Sequence, residues 1–207
     1  MVWQVRPDSN AQNTPELHAK EEDPQFNEMR GGKILGDFSL AVVGDFKEGR
    51  RLVHPEWVPE IFYLRKAPKK FSPIISIQRL FAVQQEVIDL IEEFEPGVHQ
   101  FVPIKIAKTG TVEALPVRYS LVNVCQMLHS VVLDEKVLRV EYIADRVFWM
   151  QRHGDVPYLF KREIVSGKHL WRDTGAKSLM FASDAFVQAV EDRSIRGLTK
   201  VGYHQEA

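Results

Sequence analysis

A single cysteine, Cys125, occurs in the 207 residues. No intrachain disulfide can form, and a thiol-reducing compartment is the simpler setting for such a chain. No apolar run approaches the ~18 residues of a membrane span. The opening Met1-Val2-Trp3-Gln4-Val5-Arg6-Pro7 has no apolar signal-peptide core. The expectation is a soluble, cytoplasmic protein without membrane contact. Charge of one sign is also missing, since 27 Lys plus Arg stand against 28 Asp plus Glu. That balance removes the bulk electrostatic drive of a nucleic-acid binder and excludes a polybasic anchor.

Catalytic signatures are absent as well. The sequence has no Cys-x-x-Cys or His-Glu-x-x-His pair for zinc, no phosphate-binding Gly-x-x-x-x-Gly-Lys-Ser/Thr loop, no dinucleotide fingerprint and no Gly-x-Ser-x-Gly elbow. No catalytic residue, metal ligand or cofactor is therefore assigned. His153-Gly154-Asp155 comes nearest to a catalytic tripeptide, and a polar turn between strands is its plainer reading. Cys125 lies in an apolar run with Val122, Val124 and Leu128, as a packed small hydrophobe does. Trp149, Phe148, Tyr158, Phe160 and Trp171 are spaced for strand packing, with one or two free to anchor a partner.

What is present is ample apolar material, 44% of the chain. A chain of this length buries roughly 70% of its unfolded surface and needs no covalent staple. Residues 1–32 are polar and weakly periodic, which reads as a mobile arm, a loosely packed wrap or an arm that orders on a partner; Thr14-Pro15-Glu16 has the form of a helix start. Phe38 to Val43, ending at Gly44-Asp45, predicts a strand. Prolines 55, 59, 68 and 73 punctuate the next stretch, where Trp57, Phe62, Tyr63 and Leu64 are expected to pack onto a core. Residues 1–73 are thus set apart as an arm and proline-rich β segment from an α+β domain over 74–207.

Within that domain Leu80–Val83 predicts a strand, and Gln84–Phe94 a helix with Val87, Leu90, Ile91 and Phe94 on one stripe. Glu95-Pro96-Gly97 stops the helix, and Phe101–Ile106 continues as a strand whose Pro103 suggests an edge or bulge. Tyr119–Val124 and Val137–Tyr142 predict further strands. Leu159–Val165 and Lys168–Trp171 read as a hairpin joined by Ser166-Gly167. Leu179–Ala182 ends a strand, Ser183 caps a helix from Asp184 to about Arg193, Gly197 ends it, and Leu198–Tyr203 closes the chain as a strand.

Two stretches echo one another one hundred residues apart. Phe81-Ala82 matches Phe181-Ala182, Val87 matches Val187, Leu90 matches Val190, Glu92 matches Asp192 and Gly97 matches Gly197. The fold class expected is α+β, with mixed sheets and two similar β-α-β units, 81–105 and 181–203, packed by short helices. The first helix carries Glu86, Asp89, Glu92 and Glu93, then Glu95, with no basic residue from Gln84 to Gly97. Like charges at helical spacing repel by roughly 0.2–0.5 kcal/mol per pair, and acids near a helix C-terminus oppose its dipole. A solvated face is the plain account of such a run. An acidic surface kept for a basic partner is the sharper one.

The stretches LFAVQQEVIDLIEEFEPGVHQFVPIKI, YSLVNV and LMFASDAFVQAVEDRSIRGLTKV resemble the bacterial polymorphic-toxin immunity proteins, in particular their eleventh family, once a domain of unknown function. The resemblance covers roughly residues 75–203. It implies a small cytoplasmic antitoxin, encoded beside a toxin delivered by contact-dependent or type VI secretion machinery, that neutralises its cognate toxin by binding it. Such toxins are often nucleases, whose basic phosphate groove invites carboxylates. On this reading Glu86, Asp89, Glu92, Glu93 and Glu95 are the toxin-binding candidates. The protein is no enzyme and touches no nucleic acid directly. Two readings stay open beside it, a regulatory or structural interaction module with no toxin and an enzyme using His153 and Asp155, and a homo-oligomer is left open as well.

Overall fold

The computed structural model describes residues 1–8, 17–19, 40–64, 70–77, 80–108, 113–144, 146–151 and 157–207. In chain order they form β1 (Val2–Pro7), β2 (Leu17–Ala19), α1 (Leu40–Lys47), β3 (Ile61–Leu64), β4 (Ile74–Ile77), β5 (Leu80–Val83), α2 (Gln85–Phe94), β6 (Gln100–Lys108) and β7 (Ala114–Asn123). Then follow β8 (Met127–Leu128), β9 (Leu138–Ile143), β10 (Arg146–Gln151), β11 (Leu159–Phe160), α3 (Arg162–Val165), β12 (Leu170–Asp173), β13 (Ala176–Ser183), α4 (Asp184–Asp192) and β14 (Leu198–Glu206). The fold is α+β.

Two six-stranded sheets run β2-β3-β6-β7-β5-β4 and β11-β14-β1-β13-β12-β8, and β9 and β10 form a separate two-stranded ribbon. The sheets correspond in order. From β4 the neighbours are β5, β7, β6 and β3; from β12 they are β13, β1, β14 and β11. Both series begin with antiparallel contacts and end on a parallel one. At the parallel contact Phe62 faces Ile106 in the first sheet and Phe160 faces Glu206 in the second. Each helix leaves one strand and returns to another that lies beyond an antiparallel neighbour: β7 for α2, β1 for α4.

Alternation along the strands divides the interior into three clusters. Phe81 and Val83 turn toward the helices, joining Val87, Leu90, Ile91, Phe186, Val187 and Val190 with Val5, Met180 and Ala182 of the second sheet. Leu80 and Ala82 turn the other way, to Phe46, Phe62, Ile104 and Leu121. The outer face of the second sheet holds Val2, Trp149, Tyr158, Phe160, Trp171 and Phe181. The central cluster therefore belongs to both sheets and both helices.

The strand expected over Phe38–Val43 is instead the start of helix α1, with residues 38 and 39 outside the described residues. A helix suits the following sequence better. It buries Phe46 at 1% exposure, and the turn after it is closed by Arg50 bonding Asp45. The hairpin expected over 159–171 is also corrected. Leu159–Phe160 pairs with β14, Arg162–Val165 makes one helical turn, and Leu170–Asp173 pairs with β13. Gly167 does take the positive φ, +69°, that the connection demands.

Residues 2–7 are no mobile arm: Val2 and Val5 are buried and β1 lies inside the second sheet. The Thr14 helix start falls outside the described residues. Pro103 stands in an interior strand, yet β3 meets β6 only from Lys105 onward, so the missing N–H faces no strand. A bulge follows between Lys105 and Ala107. Phe62 is fully buried, as expected of a core anchor. No helix among the described residues is long and apolar enough to cross a membrane.

Candidate binding surface

Helix α2 starts at Gln84, whose carbonyl accepts from Val87 N, and stops where Glu95 leaves helical geometry and Gly97 turns to φ +69°. Its apolar stripe is buried. Glu86, Asp89 and Glu93 lie on the exposed side. Helix α4 is capped by Ser183, whose hydroxyl accepts from Phe186 N at 3.1 Å; such a cap contributes about 1 kcal/mol. The helices touch through the edge-on rings of Phe94 and Phe186, 5.7 Å apart. Arg193, just past the end of α4, reaches Glu93 at 2.6 Å. Neither helix carries a basic residue within its own span: α4 has Asp184, Glu191 and Asp192. The basic residues nearest to α4 stand in the turn after it, at Arg193 and Arg196.

The five carboxylates expected to form one surface divide in space. Glu95 is inside, at 5% exposure. Its oxygens accept from His169 N (2.8 Å), Leu170 N (3.0 Å) and Gln126 Nε2 (2.7 Å), and one meets His99 Nε2 at 2.8 Å. Burial pushes this carboxyl up, but the hydrogen bonds from His99, His169 N and Gln126 outweigh it and leave the group below the usual carboxylate range. Glu95 therefore leaves the candidate surface, because its oxygens join α2 to the start of β12. Glu92 turns back on the helix end and accepts from Gly97 N at 2.9 Å. The Arg51 guanidinium donates to the carbonyls of Gly97 and Val98, placing a positive charge where the helix dipole calls for one. Glu93 is half taken by Arg193. Asp89 is exposed and bonds only its own helix, through Gln85 Nε2 at 2.8 Å. Glu86 is exposed and has no polar partner among the described residues.

Contacts near the helix end account for three of the acids: Glu92 holds Gly97 N, Glu93 meets Arg193, and Glu95 binds His99, Gln126, His169 and Leu170. The Glu93–Arg193 pair had a visible signal in the alignment of the two segments, since those positions match. Glu95 had none, because its partners come from residues 99, 126, 169 and 170.

Other candidates fall elsewhere. Residues 153 and 155 lie outside the described residues. Cys125 is half-buried, its thiol 3.4 Å from Asn123 O and pushed up by burial, the opposite of an activated nucleophile. Trp149, Tyr158, Phe160 and Trp171 are core residues and Phe148 is half-buried. Among the described residues no three His, Cys, Asp or Glu are grouped to hold a metal ion.

The sequence matches the family model described as an immunity protein family (Imm11) over residues 8–200. The chain belongs to the Imm11 immunity protein family. The match begins well before the stretch that carried the resemblance, and takes in β2, α1 and β3. Two of those elements, β2 and β3, are strands of the same sheet as β4 to β7. Immunity proteins act in toxin neutralisation, generally by binding and without catalysis, and Imm11 membership gives this chain that general role and a cognate toxin as partner. No curated protein matches the sequence.

Proposed function

We propose that this Imm11 protein neutralises a nuclease toxin in the cytoplasm by laying the exposed side of α2, with α4 beside it, against the toxin's basic surface. The observation that supports this is the pairing of two adjacent helices without one basic residue in either, their exposed positions including Glu86, Asp89, Gln188, Asp192 and the half-exposed Glu93. Glu86 and Asp89 head the contact, since neither is tied to another element. Carboxylates there meet the same groups that bind phosphate, so the toxin's substrate path is blocked by charge of the same kind. Long-range attraction speeds capture, and apolar anchors slow release.

The test is a double charge reversal, Glu86→Lys with Asp89→Lys, measured against the toxin domain encoded beside this chain. The variant should keep its thermal stability and lose at least about tenfold in association rate at low salt, with a flatter salt dependence than the unaltered protein. Unchanged binding and an unchanged salt slope would remove this face from the contact. A cell expressing the toxin and rescued by this protein, but not by the double variant, reports the same outcome in growth.

A further inference from the structure

The ribbon β9–β10 has no counterpart in the order of the first sheet, and it holds a concentration of exposed apolar side chains: Tyr142 at 67%, Ile143 at 59% and Met150 at 53%. It is nonetheless firmly seated. Trp149 is buried, its indole N–H donates to Asp173 at 2.9 Å, and its backbone N–H donates to Gly175 O at 3.0 Å. Asp173 in turn accepts from Ser130 N, Ser130 Oγ, Val131 N and Gly175 N.

The register fixes which backbone groups of β9 remain open. Ile143 pairs with Arg146 across a two-residue turn, so the residues that bond across the ribbon are 143, 141 and 139. Leu138, Val140 and Tyr142 turn their backbone groups the other way. The same parity on β10 sends Trp149 N outward, where Gly175 receives it. Leu138 N is spent on Asp134 O at 2.8 Å. Val140 and Tyr142 have no partner for their outward N–H and C=O among the described residues. Native proteins guard such edges with lysine, proline, a bulge, shortness or a cover. The other outer strands are so guarded: β8 and β11 have two residues each, β2 has three, and Ile74 of buried β4 bonds Arg196 O. β9 has six residues, no proline and no bulge, and its exposed charges Arg139 and Glu141 are tied to each other at 2.8 Å.

We infer that the open edge of β9 takes an extended segment of the cognate toxin by strand addition, with Tyr142 packing beside it. Hydrogen-bond complementarity selects the occupant: two outward donor–acceptor pairs at alternate residues match an extended main chain. Tyr142 adds the rigid, amphipathic anchor such a contact needs. This inference rests on the toxin-binding role proposed above, and its contact is separate from the α2 face.

The experiment uses the full chain and the toxin domain encoded beside it. Hydrogen exchange should show the Val140 and Tyr142 amides becoming protected on complex formation, while the amides of 139, 141 and 143 were protected already. Tyr142→Pro removes an outward donor without touching the bonds to β10. It should bind about tenfold more weakly than Tyr142→Thr, which keeps the donor, the order of loss expected for one well-made hydrogen bond plus local fit. Trp149 fluorescence should be unchanged in both. A complex that leaves the two amides exchanging freely, or in which proline and threonine bind equally, overturns the strand addition and leaves the toxin-binding role standing. Absence of any complex with the unaltered chain overturns both. Protection that rises with protein concentration without toxin identifies a second copy as the occupant and overturns the inference.

Discussion

The Glu95 carboxylate accepts from two backbone amides and a glutamine and meets a fully buried histidine, all from segments distant in sequence or just past its own helix. Glu95→Ala leaves the amides of His169 and Leu170 without acceptors, and each unsatisfied buried donor costs roughly 1–3 kcal/mol. We expect Glu95→Ala to lose about 3 kcal/mol in urea unfolding, and Glu95→Gln to lose less because one acceptor oxygen remains. His204 gives the clearest pH dependence. Its Nδ1 accepts from Tyr158 N at 2.9 Å, which demands a lone pair there and hence the neutral ring. Burial pushes its pKa down to about 4. The unfolded chain, with an ordinary imidazole near 6.5, binds the proton first as pH falls. Stability is therefore full above about pH 6.5 and is lost progressively toward about pH 4, by an amount on the order of 3 kcal/mol. Unfolding curves measured every half pH unit check this, and a flat profile from 7 to 4 contradicts it. The lowered Glu95 carboxyl acts in the same sense at lower pH: its contribution, present above the unfolded value near 4.3, fades as pH falls through the lower folded value.

At the scale of elements, two connections depend on glycine in ways a side chain would break. Gly197, which ends the turn after α4, has φ +99°, and a Cβ there would stand 2.1 Å from Ile74 O. Gly197→Ala should lower the melting temperature by more than 5 °C, as backbone strain and a backbone clash together cost upward of about 2 kcal/mol. At Gly175 an added Cβ would lie 2.2 Å from the Trp149 ring. Gly175→Ala should loosen the ribbon and raise exchange at its amides while leaving α2 unaffected. Strong periodicity made α2, α4, β5 and β7 legible, since an amphipathic helix or an apolar strand states its own burial. The glycine turns at 97, 167 and 197 were legible for the same local reason. The helix over 40–47 escapes a local reading because the apolar run to Val43 favours a strand there, while Phe46 is buried only by the tertiary fold. The 159–171 region escapes a local reading because β11 pairs with the distant β14 and β12 with the following β13, not with each other, and Ser166-Gly167 closes a helical turn as well as a hairpin. Of the candidate carboxylates, spacing told which side of α2 faces solvent. It did not tell that Glu95, in the turn that stops the helix, points inward to partners at 99, 126, 169 and 170.

At the scale of the whole molecule, the cluster containing Val87, Leu90, Phe186 and Val190 is common property of the two sheets. Neither sheet keeps a full interior without the other. Phe186→Ala, which removes a side chain only 3% exposed, should cost about 3–5 kcal/mol. It should shift circular dichroism and tryptophan fluorescence transitions together. Separate midpoints for the two probes would mean the sheets unfold independently.

Strand β1 sits between β13 and β14, so its neighbours are made almost two hundred residues after it. During synthesis the first sheet has all its strands once β7 has emerged, while β1 waits for β13 and β14 to be made. Pairings of such long separation are slow to form. The second sheet therefore closes only after β14 is made, and the burial of Val2 and Val5 marks that closure.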